Sequence, residues 1–187
     1  CHVIGVSMGG MISQLMAIKN PDKVNSLISI MSTTGNPELP RPKWNVIKYI
    51  INGSNNRNIN NPEAFYIKLW KLIGSPKYPR SNDEIKEFVN RIISRGVSAQ
   101  GSIRQILAIL NSYNRTSELN KITIPTLVIH GNDDPLVPVE CGIDTANAIN
   151  NSDLWIIDGM GHDFPYELLD QFVDRIDNHI KSVDSRS

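Results

Sequence analysis

Charge of one sign is what this chain of 187 residues most plainly lacks: 19 Lys and Arg stand against 19 Asp and Glu, for a net charge of zero. There is no basic footprint for nucleic acid or an anionic membrane surface, so no nucleic-acid partner is expected. Cysteine is nearly absent too. Cys1 and Cys141 are the only 2, with no C-x-x-C spacing and no even-numbered framework of several thiols. Such usage fits a reducing, cytoplasmic setting and leaves a single disulfide between the two open. No apolar run approaches the length of a membrane span. An initiator methionine is also missing before Cys1, and the first residues already read as mid-strand. The chain is therefore expected to be the C-terminal piece of a longer protein, with any signal peptide or anchor in the part before it. Its length suffices for one sizeable core with an inserted subdomain. The oligomeric state is not legible.

What is present is a rhythm of strands and helices. Val3 and Ile4 end an apolar strand, and Met8, Met11, Ile12, Leu15 and Met16 recur at helical spacing until Asn20-Pro21 stops the helix. Residues 24–32 (VNSLISIMS), 124–130 and 153–158 (DLWIID) are further strand candidates. Their near-continuous apolarity is that of buried parallel strands. A moderately helical stretch lies between the last two, at 139–150. After the last strand, Phe164, Leu168, Leu169, Phe172, Val173, Ile176 and Ile180 form one apolar face. Residues 35–115 break the rhythm: after Gly35, Pro37, Pro40 and Pro42 they read as helices at 43–52, 62–74, 82–95 and 98–112. An Asn-rich loop at 52–61 reads as a solvated connector. The expected organisation is a core at 1–34 and 116–187 and a helical cap at 35–115.

The chemistry starts at Gly5-Val6-Ser7-Met8-Gly9, a G-x-S-x-G pentapeptide on a strand-to-helix turn. Such a turn strains the backbone of its central residue and pushes the hydroxyl out, and it needs small flanks, here Gly5 and Gly9. The helix behind it favours developing negative charge. A serine nucleophile needs a base, and the base an orienting carboxylate. Strand ends supply both: 131–138 reads Gly-Asn-Asp-Asp-Pro-Leu-Val-Pro, and 159–162 reads Gly-Met-Gly-His. In a parallel sheet all the carboxyl ends open on one edge, so Ser7, Asp134 and His162 converge there in that chain order. The turn before Pro135 favours Asp134 over Asp133, which is expected in solvent, and Asp158 is the fallback acid. His2 and His130 read as structural residues, His130 close enough to the edge to touch a substrate. His179 reads as exposed, and Asp163 as the cap of the following helix. An oxyanion needs two convergent N–H donors. The backbone of Met8 is one, and the other is expected upstream of the elbow.

With GVSMGGM, KNPDKV, HGNDDPLVP and GMGHDFP in this order, the chain resembles the α/β-hydrolase superfamily. The segments MSTTGNP, IRQILAIL and TLVIHGNDDPLVP together resemble its capped esterase-like group, which includes aclacinomycin methylesterases. The resemblance implies a partial α/β-hydrolase fold: about four strands of a mostly parallel sheet that has eight in the family, flanking helices, and a helical cap inserted between strands six and seven. It also implies Ser7 as nucleophile, Asp134 as acid and His162 as base. The first four strands and the upstream oxyanion loop have no counterpart here, which leaves the first strand as an apolar edge.

The expected activity is that of a serine hydrolase cleaving carboxylic esters of small apolar substrates through an acyl-enzyme, without cofactor or metal. Its partner is a small-molecule ester. A serine at the elbow argues against haloalkane dehalogenases and epoxide hydrolases, which carry aspartate there. Peptidase, C–C hydrolase, haloperoxidase and acyltransferase chemistry remain open, as do a noncatalytic ligand-binding role and a piece inactive on its own. Trp44, Phe65, Tyr66 and Trp70 are candidates for lining an apolar pocket.

Overall fold

The structure, a computed structural model, describes residues 1–55 and 61–185. In chain order the elements are β1 (His2–Val6), α1 (Met8–Lys19), β2 (Ser26–Ile30), α2 (Trp44–Asn55), α3 (Pro62–Ile73), α4 (Asn82–Ser94), α5 (Ala99–Leu110), α6 (Thr116–Leu119), β3 (Thr126–Gly131), α7 (Val139–Ala148), β4 (Ser152–Ile157) and α8 (Leu169–Asp184). The four strands form one parallel sheet in the order β1-β2-β3-β4. Every strand's carboxyl end therefore opens on the same edge.

The two central strands are buried at every position, their largely apolar sequences interrupted by the buried polar residues Ser26, Ser29, Thr126 and His130. Alternation divides their side chains between two layers. Ile28, Ile30, Leu127 and Ile129 face Leu168 and Phe172, beside α8. Leu27 faces the other way, with Ala17 of α1, Leu119 of α6 and Ala148 of α7. Helices thus cover both faces of β2 and β3. β1 differs, with Ile4 and Val6 exposed, as are Ile12 and Met16 of α1.

Helices α2 to α5 all lie between β2 and β3 in sequence. Local caps define them: the Asn61 side chain accepts from Ala64 N–H, Ser81 and Glu84 form a capping box, and Ser98 accepts from Gly101 N–H. The two ends of this insertion meet at Arg115. Its guanidinium, fully buried, donates to Thr33 O at 2.8 Å and Gln14 Oε1 at 3.1 Å, and its N–H donates to Thr34 O at 2.9 Å. Gly35, with φ 82°, turns the chain there, where an added Cβ would lie 2.8 Å from Tyr113 O.

Several expectations are corrected. Residues 52–55 belong to the last turn of α2 and Asn61 caps α3, while 56–60, the middle of the expected Asn-rich connector, lie outside the described residues. The apolar face near α8 is narrower than its sequence pattern. Phe172 and Leu168 are buried, whereas Leu169 and Val173 are exposed. His179 is half-buried rather than exposed, and its Nε2 is enclosed without a hydrogen-bond partner among the described residues. Cys1 and Cys141 are unpaired thiols, the second buried. Among the described residues no helix is long and apolar enough to cross a membrane.

Candidate active site

Ser7 occupies the single residue between β1 and α1, at φ 55° and ψ −120°. That left-handed conformation costs a non-glycine residue about 1–3 kcal/mol, so the surroundings must impose it. Its N–H donates to Ile30 O at 2.8 Å, and its carbonyl accepts from Ser32 Oγ at 2.8 Å and Gly10 N at 2.9 Å. Gly5 is small because α1 crosses it: an added Cβ would overlap the Gly9 carbonyl and Ser13 Oγ. Gly9 itself meets nothing within 4 Å among the described residues. The second close approach is at Gly10, where a Cβ would lie 2.5 Å from Ser32 Cβ. Gly10 donates to Ser7 O, and Met8, at the head of α1, has no intrahelical acceptor for its N–H.

Asp134 follows β3 in a turn that its own carboxylate organises. Oδ1 accepts from the N–H groups of Leu136 and Val137, each at 2.8 Å. Oδ2 accepts from His162 Nδ1 at 2.6 Å. His162 Nε2 lies 3.0 Å from Ser7 Oγ. The imidazole thus sits between hydroxyl and carboxylate, and the three residues singled out in the sequence come together in one row. Nδ1–H as donor to Asp134 leaves Nε2 as the acceptor facing the serine.

His130 braces Asp134 from behind and does not face the cavity. It is fully buried, its Nε2–H donates to Val137 O at 2.8 Å, and it lies 3.7 Å from Asp134 Oδ2. Burial lowers its pKa, outweighing the nearby carboxylate, so the ring is neutral. Gly142 of α7 makes room for it, since an added Cβ would overlap the ring.

The loop carrying His162 is clamped by the end of α3. His162 N–H donates to Ile73 O at 2.7 Å, and Gly161 N–H donates to Ser75 Oγ at 2.9 Å. A Cβ at Gly161 would stand 2.5 Å from the Ile73 and Gly74 carbonyl oxygens. Ser75 Oγ in turn donates to Asp163, which also faces Arg80 Nε at 3.7 Å. Asp163 therefore does not cap a helix; it is buried, and burial raises its pKa against the pull of Ser75 and Arg80. Arg80 donates to Phe164 O at 2.6 Å and stacks between the rings of Phe88 and Tyr166. No local pattern marks Ser75 and Arg80 as partners of a loop more than 80 residues away.

The remaining candidates stand apart. Asp133 is exposed. Asp158 pairs with Lys77 at 2.8 Å and accepts from Asn132 at 3.0 Å, contacts that hold its carboxyl below the ordinary range. His2 contacts Ser26 Oγ at 2.9 Å and Asp184 at 3.1 Å. A cavity of about 510 Å³ opens beside Ser7 and His162, walled by Val6, Met31, Trp70, Phe88 and Phe164. Of the four aromatic candidates Trp70 lines it, Phe65 stacks on Tyr49 and meets Tyr66 edge-on, and Trp44 is largely exposed. No cluster of three or more His, Cys, Asp or Glu placed to hold a metal occurs among the described residues.

A family model described as alpha/beta hydrolase fold matches residues 1–167. The chain is 27% identical over 165 residues to a 2-hydroxy-6-oxononadienedioate/2-hydroxy-6-oxononatrienedioate hydrolase of Cupriavidus pinatubonensis, covering 86% of this chain and 55% of that protein. It is 22% identical over 182 residues to a pimeloyl-[acyl-carrier protein] methyl ester esterase of Aliivibrio salmonicida, covering 97% of this chain and 69% of that protein. A thermophilic esterase from Thermogutta terrifontis superposes with a TM-score of 0.73 at 22% identity, over 96% of this chain and 64% of the esterase. The chain thus spans 55% of the first of these relatives.

Proposed function

The chain belongs to the α/β-hydrolase family, and from that premise we propose that it carries the reacting groups of a serine hydrolase acting on carboxylic esters of small substrates. The observation that supports this reading is the placing of His162, 3.0 Å from Ser7 Oγ and 2.6 Å from Asp134 Oδ2. In this proposal His162 Nε2 takes the Ser7 proton as Oγ attacks the ester carbonyl, and the imidazolium is stabilised by Asp134. The Met8 N–H and the head of α1 receive the negative charge on the carbonyl oxygen. The tetrahedral intermediate collapses when His162 protonates the leaving alcohol, leaving an acyl-enzyme on Ser7. Water, deprotonated by the same imidazole, then releases the acid.

Helices α2 to α5 act as the cap in this reading. The cap would supply Trp70 and Phe88 to the substrate cavity and, through Ile73 and Ser75, hold the loop of the base. The narrower likeness to aclacinomycin methylesterases rests on the sequence segments alone, and the relatives compared above carry other substrate names. Two unpaired thiols suit a cytoplasmic enzyme. A second reading, C–C bond hydrolysis by the same three residues, is favoured by the name of the Cupriavidus relative.

The test is turnover of p-nitrophenyl esters by the full-length protein. Ser7→Ala is expected to lower kcat by on the order of 10⁴ to 10⁶. Ester turnover undiminished in Ser7→Ala would contradict the proposal.

A further inference from the structure

A second cavity adjoins the one that holds Ser7 and His162. Its volume is about 490 Å³ against about 510 Å³ for the first, and its walls come from the start of α2, the end of α3, α4 and the turn of Asp134. Lys43, Asn45 and Asp133 line it and are exposed, and none of the three lines the first cavity, so the second opens to solvent on its own side. Four residues line both: Trp70, Phe88, Arg80 and Asp163. A side chain with a cavity on each of two sides is the wall between them.

This wall has two halves of different kinds. Arg80 and Asp163 belong to the polar chain around the loop of His162, and neither can leave without loosening the base. Trp70 and Phe88 form the other half, two rings edge-on with centroids 4.9 Å apart. Protein interiors are close-packed, and every unfilled side of a ring forfeits dispersion contacts. Core packing therefore does not account for two half-buried rings with open space on two sides. A limit on size does. Small-molecule pockets span roughly 300–1,000 Å³, so either cavity alone falls in the lower half of that range, whereas the two joined would reach its top.

We infer that Trp70, backed by Phe88, is the specificity-determining residue of this site: it confines the substrate to the cavity of Ser7 and His162 and bars bulkier esters from the chamber behind. This rests on the hydrolase reading and adds to it a size limit set by one side chain of α3.

The experiment measures kcat/KM of the full-length protein for two pairs of esters. p-Nitrophenyl 4-phenylbutyrate against p-nitrophenyl butyrate adds a ring on the acyl side, and 4-biphenylyl butyrate against phenyl butyrate adds one on the alcohol side. In Trp70→Ala the ratio of bulky to small ester is expected to rise about tenfold in one pair, mainly through KM, and the pair that responds identifies the part of the ester that faces α3. Trp70→Leu, which keeps more of the volume, is expected to give a smaller rise, and it decides the matter where the alanine variant does not fold. Adding Asn45→Trp to Trp70→Ala fills the second cavity from α2 and is expected to cancel the gain. Ratios unchanged in both pairs overturn the inference, as does a gain that survives Asn45→Trp. If the wild type turns over none of these esters, the hydrolase reading fails, and calorimetry with methyl 4-phenylbutyrate then carries the test. The inference stands on binding about tenfold tighter to Trp70→Ala than to the wild type, and falls on equal binding.

Discussion

Ser7 and His162 are hydrogen-bonded to each other, yet they are fixed by opposite means. Ser7 is held by close backbone approach: α1 crosses Gly5 where no Cβ fits, Gly10 packs on Ser32, and a left-handed φ is locked by a bond donated to Ile30 O and bonds accepted from Ser32 and Gly10. His162 is held by polar groups from a distant segment, with Ile73, Ser75, Asp163 and Arg80 forming a chain of buried bonds around its loop. β1, which leads to Ser7, and β4, which leads to His162, are the two edge strands of the sheet and both are partly exposed, whereas β3, which leads to Asp134, is buried throughout. Close backbone packing thus fixes Ser7, and polar side chains fix His162.

The sharpest way to break the contrast is at Gly5. Gly5→Ala forces a methyl into the backbone of α1 and is expected to cost about 3 kcal/mol of stability, read as a lowered midpoint in chemical denaturation of the full-length protein. A smaller effect is expected on the polar side. Ser75→Ala removes the acceptor for Gly161 N–H and the donor to Asp163, at about 1–3 kcal/mol of stability. It should also lower kcat by about tenfold with little change in KM, because a loosened His162 loses its alignment with Ser7. Steady-state kinetics of the variant checks this. An unchanged kcat would remove the clamp from the account.

The smallest effect concerns the support of Asp134. Burial keeps His130 neutral with a lowered pKa, so the unfolded chain takes up the proton first as pH falls. The stability contribution is therefore complete above about 6.5, the ordinary histidine value, and declines as pH drops from there toward the lowered folded value. His179, also lowered by burial, acts in the same direction. The slope is at most about 1.4 kcal/mol per pH unit for each group. Tm measured from pH 7.5 to 5.5 (about two pH units) should fall, and His130→Gln, which keeps a donor for Val137 O, should flatten the fall.

The same contrast separates what the sequence makes legible from what it hides. The elbow, the acid turn and the base loop are short segments whose glycines and polar residues sit at strand ends, so Ser7, Asp134 and His162 can be placed by local pattern and chain order. The insertion's helices are legible because Asn61, Ser81 and Ser98 cap them locally. The clamp is not legible, because Ser75 and Arg80 meet Gly161 and Phe164 only once the insertion folds back over the sheet edge. Asp163 looks like a helix cap from its neighbours and becomes an ion-pair partner through that same folding. Leu169 belongs to the apolar stripe by spacing but lines the open cavity, and no local pattern distinguishes a cavity wall from a core.

The central claim is that Ser7, activated by His162, is the reacting nucleophile. Its most direct test is labelling of the full-length protein by a fluorophosphonate, with the modified residue located by peptide mass. The account predicts one adduct, on the peptide carrying Ser7, strongly reduced in His162→Gln and absent in Ser7→Ala. An adduct on another residue, or full labelling in Ser7→Ala, would contradict it.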